Sequence, residues 1–287
     1  MNTPTLPAGA CDCHVHIIGD RARYPMVGDR HYTPDVACVS NLQQHMDALG
    51  LTRAVIVQPS VYGTDNSCML DALHAMNGAA RGVAVLDREA PDALLHAFDA
   101  CGVRGLRLNL ESSGSLDVTR MREDLQAWAQ RLQPLGWHLQ VYASLGVIAQ
   151  AAPVLAELSV PVVLDHFAGV LAGTSLEDAN VQTVLRLIST GAAYVKLSAP
   201  YRIDPSQTAD EAVTALAAAF IASNPDRVLW ASDWPHTNRE PGKSPHEVSA
   251  YRRIGTQKLA QGIDSWFADE AIRQRVLVSN AARLYAF

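Results

Sequence analysis

Eight short runs dense in Val, Ile, Leu and Ala recur along the chain, at 11–18, 54–59, 82–86, 105–110, 138–142, 161–166, 193–197 and 227–232. Each is nearly continuous in apolar side chains rather than alternating. That pattern reads as a strand covered on both faces, the mark of a parallel sheet. Between the runs lie stretches whose apolar residues return every three or four positions, as amphipathic helices require. Leu42, His45, Met46 and Leu49 share one such face, and Met69, Leu70, Leu73 and Met76 another. Further helices are expected over 93–101, 121–132, 147–158, 181–188, 211–221 and 245–259, and a last one over roughly 270–285. Eight strand–helix pairs in 287 residues match a (β/α)8, or TIM, barrel: one α/β domain over residues 1–287 with an added C-terminal helix. A doubly wound open sheet is the main rival, but no G-x-G-x-x-G follows the first strand.

Composition narrows the partners. Apolar residues at 48% and charged ones at 18% suffice for a buried core and exclude a disordered chain. A formal charge of −6 argues against nucleic acid. No apolar run approaches the roughly 18 residues that span a bilayer, and residues 1–9 carry no secretory pattern. Five cysteines (Cys11, Cys13, Cys38, Cys68 and Cys101) are an odd number without a disulfide framework. They read as free thiols in a reducing cytoplasm. Cys11 and Cys13 lack the second pair that a metal or redox site would use. The expectation is a cytoplasmic protein handling a small molecule, with no membrane or nucleic-acid partner; a homo-oligomer is compatible with the sequence.

A closed barrel carries its chemistry at the C-terminal ends of its strands. The first strand ends in DCHVH, with His14 and His16 two apart and so on one face. The second ends in QPS (Gln58 to Ser60), the fourth carries Arg107 and Asn109, and the fifth ends at Tyr142. The sixth ends in Asp165 and His166, the seventh leads to Tyr201 and Arg202, and the eighth ends in SDWPH (Ser232 to His236). An H-x-H alone is weak, since ten histidines supply about 0.3 such pairs by chance. Asp233 is harder to dismiss, because an acid ending an apolar strand must be solvated, paired or functional. The helical histidines His45, His74 and His96 read as ordinary, partly exposed side chains. Convergence of so many polar groups on one mouth separates this chain from a barrel that merely binds.

Together these strings resemble the amidohydrolase superfamily, and within it the 2-pyrone-4,6-dicarboxylate lactonase group, from the first strand to the eighth. The resemblance implies a lactone hydrolase that needs no metal and serves catabolism of aromatic or sugar acids. By that likeness His14, His16 and His166 polarise the lactone carbonyl and Asp233 activates water. Tyr32, Ser60, Arg107, Tyr142, Arg202 and His236 then surround the substrate. One departure stands out: the group carries a second arginine six residues after the strand-four arginine, where this chain has Ser113. The loop from Arg21 and Arg23 to Arg30 and His31 offers replacement cations, and a muconolactone or sugar-acid lactone with one acid fits as well. The stretch 20–33 is a lid candidate, and 238–245 reads as a solvated connector.

The chemistry also follows from the residue types. Ring opening needs a positioned water, a base, and donors where the carbonyl oxygen becomes an oxyanion. His14, His16, His166 and Asp233 would equally suit Zn²⁺. Tyr142 and Arg107 weigh against the ion, since a guanidinium repels a divalent cation, so no cofactor is the expected state. A sugar-acid lactone isomerase and a metal-dependent decarboxylase are the rival activities.

Overall fold

The computed structural model describes residues 6–110 and 118–287. Its eight main strands are β1 (Cys11–Val15), β2 (Arg53–Val57), β3 (Ala80–Ala84), β4 (Val103–Asn109), β5 (His138–Tyr142), β6 (Val162–Leu164), β7 (Ala193–Ser198) and β8 (Val228–Ala231). They pair in chain order and in parallel. The ring closes just past β8, where the Asp233 N–H donates to the His14 carbonyl at 3.0 Å and the His16 N–H donates to the Trp234 carbonyl at 2.8 Å. The outer layer consists of α1 (Val39–Leu49), α2 (Ser67–Ala75), α3 (Asp92–Ala100), α4 (Val118–Leu132), α5 (Leu145–Glu157), α6 (Ala179–Ser189), α7 (Asp210–Ser223) and α8 (Thr256–Trp266). This is the (β/α)8 barrel that the sequence pattern predicts.

Local chemistry sets the helix ends. α1 buries Leu42, Met46 and Leu49 and stops at Gly50, whose φ of 75° suits a residue without a Cβ. α6 starts where the Asp178 carboxylate accepts from the N–H groups of Asn180 and Val181. Inside the ring, Cys11, Cys13, Val55, Val57, Val83, Val163 and Leu229 form a core of their own. Its floor is sealed by the C-terminal helical run, which passes through a π-helical segment at Arg275–Ser279 before Asn280–Tyr285. Ala281, Leu284 and Tyr285 pack into the interior core. The Asn280 amide ties the run to the Pro225 and Val228 carbonyls at 2.8 Å each. All five cysteines are free, as expected.

Two departures from the sequence expectation shape the mouth. The helix expected over 245–259 begins only at Thr256, after Gly255 as N-cap. Before it, Val248–Ser249 pairs in parallel with Thr33–Pro34, so the long loops after β1 and β8 clasp each other. The Thr33 hydroxyl donates to the Pro245 carbonyl at 2.7 Å, and the Tyr251 hydroxyl donates to the Asp35 carbonyl. The second departure lies in β1. Cys11 and Cys13 face the interior, while Asp12 reaches out to His45 on α1 at 3.3 Å. Strict alternation would send His14 outward with Asp12. An irregularity in the β1–β2 register between Asp12 and Val15 turns His14 inward instead, as a bulge does.

Candidate active site

Beyond the bulge, His14 and His16 stand edge to face with ring centroids 4.9 Å apart, and His166 lies 4.8 Å from His14. Asp233 enters from the opposite side of the seam. Its Oδ1 lies 3.7 Å from His14 Nε2 and 3.5 Å from His16 Nε2. The four residues that the sequence singles out are thus brought together. His14 and Asp233 are wholly buried, and His16 and His166 are nearly so.

Each member is held from behind. His16 Nδ1 lies 2.8 Å from the Val57 carbonyl, which can only accept, so the ring carries its proton there and a neutral His16 offers Nε2 as a lone pair. His166 Nδ1 shares a 2.8 Å hydrogen bond with the Ser198 hydroxyl. The second oxygen of Asp233 accepts from the Tyr201 hydroxyl at 2.6 Å and from Arg202 Nε at 3.0 Å. Burial alone would raise the Asp233 carboxyl, but Arg202 and the imidazoles around it override that and hold it well below the usual carboxylate range. Burial, and then the nearby Lys196, push His14 down to about 3, so this imidazole is neutral at ordinary pH.

Below His14 lies a network that the sequence reading did not assign. His14 Nδ1 is 3.2 Å from Asp165 Oδ1 and 3.4 Å from Lys196 Nζ, one an acceptor and one a donor. Lys196 is fully buried and donates to Gln140 Oε1 at 2.7 Å. Gln140 Nε2 donates to both Asp165 oxygens, at 2.9 and 3.1 Å, and Arg107 Nε donates to Asp165 Oδ2 at 2.9 Å. Burial depresses the Lys196 ammonium, with Asp165 pulling the other way. A lysine in the middle of an apolar strand was the available signal, since period two turns Lys196 toward the ring interior. His45 is partly exposed, as expected, but is also bonded to Asp12 and stacked on Trp234 with centroids 5.9 Å apart.

Above the imidazoles opens a cleft of about 620 Å³. Its walls include His16, His166, Arg107, Tyr142 and Arg202, with Tyr32 and Ser60 opposite. The Arg107 guanidinium lies 5.0 Å over the Tyr142 ring. The Tyr32 hydroxyl faces the hydroxyls of Ser60 and Thr237. His236 is placed differently from the expectation. It is buried between Tyr201 and His45 and is absent from the cleft walls among the described residues. Burial pushes it down to about 4. Part of the lid candidate does line the cleft, from Val27 through Tyr32. Lys243 is engaged with Glu240 and the Val248 carbonyl. Ser113 lies outside the described residues.

The donor set also fits a divalent cation. Tetrahedral Zn²⁺ with bonds near 2.0–2.1 Å needs ligand atoms roughly 3.3 Å apart. The Nε2–Oδ1 separations of 3.5 and 3.7 Å come close, and both His14 Nε2 and Asp233 Oδ1 are buried without a hydrogen-bond partner.

This barrel, with an H-x-H on its first strand and an aspartate after its eighth, is the architecture of an amidohydrolase. The amidohydrolase family profile matches residues 11–287, and the chain belongs to that family. It is similar to 2-pyrone-4,6-dicarboxylate hydrolase of Comamonas testosteroni, with 31% identity over 289 residues covering 98% of this chain and 91% of that one. It is also similar to 4-sulfomuconolactone hydrolase of Hydrogenophaga intermedia, with 30% identity over 98% of this chain and 89% of that one. Among solved structures, a Pseudomonas putida protein assigned as a 2-pyrone-4,6-dicarboxylic acid hydrolase matches with a TM-score of 0.81 at 29% identity, over 98% of each chain.

Proposed function

We propose that this chain is a lactone hydrolase that opens the ring of a carboxylate-bearing substrate, with Asp233 as the base. The observation that carries the reading is the unpartnered Oδ1 of Asp233, which faces the Nε2 atoms of His14 and His16. Asp233 Oδ1 and His16 Nε2 lie 3.5 Å apart, and with His16 in its neutral form both are acceptors that a shared donor would bridge. A water about 2.8 Å from each can give one hydrogen to the carboxylate and one to the imidazole, leaving its lone pair free to attack. In this scheme His16 shares the water, while His14 and His166 meet the carbonyl oxygen.

As the water oxygen bonds to the carbonyl carbon, its proton passes to Asp233 and the carbonyl becomes an oxyanion beside those donors. Collapse of this tetrahedral species breaks the bond to the ring oxygen, which takes the proton back from Asp233. A carboxyl held so acidic returns its proton readily. The product is the ring-opened acid. Arg107, Tyr142, Tyr32 and Ser60 orient the substrate, and Arg202 serves by fixing Asp233.

The site reads as working with its side chains alone, in keeping with the family resemblance. Asp165 and Asp233 already face Lys196, Arg107 and Arg202, so with Lys196 protonated these five groups carry one excess positive charge, which suits an anionic substrate and disfavours a divalent ion. When bound, Zn²⁺ on His14, His16 and Asp233, with His166 beside them, would supply Lewis-acid polarisation of the carbonyl. We read the chain as one barrel domain acting in the cytoplasm on aromatic- or sugar-derived acids.

The test is ring opening followed by NMR on pyrone, muconolactone and aldarolactone acids. Asp233→Asn is expected to lose nearly all turnover while still binding product, and the wild type to keep its rate after exhaustive chelation. An Asn variant retaining more than about a tenth of the activity would refute the base, and zinc restoring an inert chelated enzyme would refute the metal-free reading.

A further inference from the structure

Three guanidiniums line the cleft, and they are committed to different degrees. Arg202 spends Nε and Nη2 on Asp233 and Thr237. Arg107 gives Nε to Asp165 and keeps two Nη groups over the Tyr142 ring. Arg30 comes from the loop after β1. Its Nε donates to the Thr33 hydroxyl at 2.7 Å and its Nη1 to the Val27 carbonyl at 2.8 Å. Both partners are neutral, and among the described residues no carboxylate forms an ion pair with Arg30. The other arginines of this loop before it are occupied elsewhere, Arg21 donating to the Pro34 carbonyl and Arg23 pairing with exposed Asp71, while exposed His31 stands beside Arg30 in the cleft wall.

A half-buried guanidinium pinned at two points, without an ion-pair partner among the described residues and facing a cleft, is a prepared anion site. The pinning is firm, because Thr33 is itself paired with the loop after β8 and bonded to Pro245. We infer that Arg30 is a specificity residue that receives a second anionic group of the substrate through its Nη2, while Arg107 receives the first. The inference rests on the lactone-hydrolase reading and sharpens it: Arg30 sets the selectivity for the anionic group that lies toward the loop, as Arg107 does for the one toward the strand ends. Asp29 shares this cleft, but it is exposed and forms no ion pair with the pinned guanidinium.

Binding of inert ring acids tests this without turnover. Pyridine-2,4-dicarboxylate is titrated calorimetrically against pyridine-2-carboxylate and pyridine-4-carboxylate. The wild type is expected to bind the diacid at least about tenfold more tightly than the better monoacid, the scale of a charge-assisted hydrogen bond. Arg30→Gln should bring that ratio to within about twofold of unity. Arg30→Lys, which keeps the charge and loses the fork, should fall between. A protein with these ratios that opens no lactone would support the role of Arg30 and remove the hydrolase reading. A wild type that does not distinguish the acids would overturn the inference, as would an Arg30→Gln that keeps the ratio. So would Lys and Gln variants with equal ratios below wild type, because loop shape rather than the cation would then be responsible.

Discussion

Asp233, His166 and His236 have φ of 61°, 47° and 68°, and none is a glycine. Such backbone costs about 1–3 kcal/mol per residue and persists only where surroundings over-determine it. Here the Asp233 N–H is bonded to His14 across the seam and the His236 N–H to the Asp233 carbonyl at 2.8 Å. The fold therefore spends stability to aim these side chains. Lys196 repays some of it as the buried cation among Asp165, Gln140 and His14. Lys196→Met strands Gln140 Oε1 and weakens the compensation of Asp165, so a loss of about 3–5 kcal/mol is expected from urea unfolding. A loss under about 1 kcal/mol would show the network to be dispensable. Of these residues Asp233, His14, His16 and His166 were legible in the sequence, because polar groups at the ends of apolar strands stand out. Lys196 and Gln140 were not, since a lone polar side chain within a strand has no motif around it. His236 shared the motif but turned away, because its left-handed backbone swings the ring behind Asp233.

Strand existence was written in the apolar runs, and strand ends were not. The expected strand over 161–166 stops at Leu164 because His166, Phe167 and Ala168 all take positive φ, which no pattern of apolar residues announces. Likewise the helix expected over 245–259 starts late because two loops distant in sequence pair first. The β1 irregularity was equally hidden: the same-face placement of His14 and His16 was right, but which face depends on a register shift that only pairing with β2 reveals. One element-level constraint is testable. A Cβ at Gly105 on β4 would lie 2.2 Å from His138 Cε1 on β5. Gly105→Ala should destabilise by about 1–3 kcal/mol, and His138→Ala should relieve much of that cost in the double variant. Additive losses in the thermodynamic cycle would count against the contact.

Acid should act on the whole molecule through its buried imidazoles. Burial pushes His14 and His138 down to about 3 and His236 down to about 4, from an ordinary value near 6.5. The unfolded chain binds these protons as pH drops below about 6.5, whereas the folded chain resists until near 4 or lower. The contribution of these histidines should therefore be level above about pH 7.5 and fall between about 6.5 and 4, by up to roughly 1.4 kcal/mol per unit for each histidine. Urea midpoints measured across that range check it, and a flat profile from pH 7 to 5 would contradict the burial of neutral rings. Asp165, held well below the usual carboxylate range despite burial by His14, Arg107 and Lys196, adds its own loss at lower pH still.

The two backbone hydrogen bonds that close the ring belong to His14 and Asp233 and to His16 and Trp234, so the seam between the first strand and the chain past the eighth is also the tether of these four side chains. A ribosome-bound chain still lacking the eighth strand owns neither. In cell-free translation, onset of turnover would time the completion of the molecule rather than the quantity of polypeptide made.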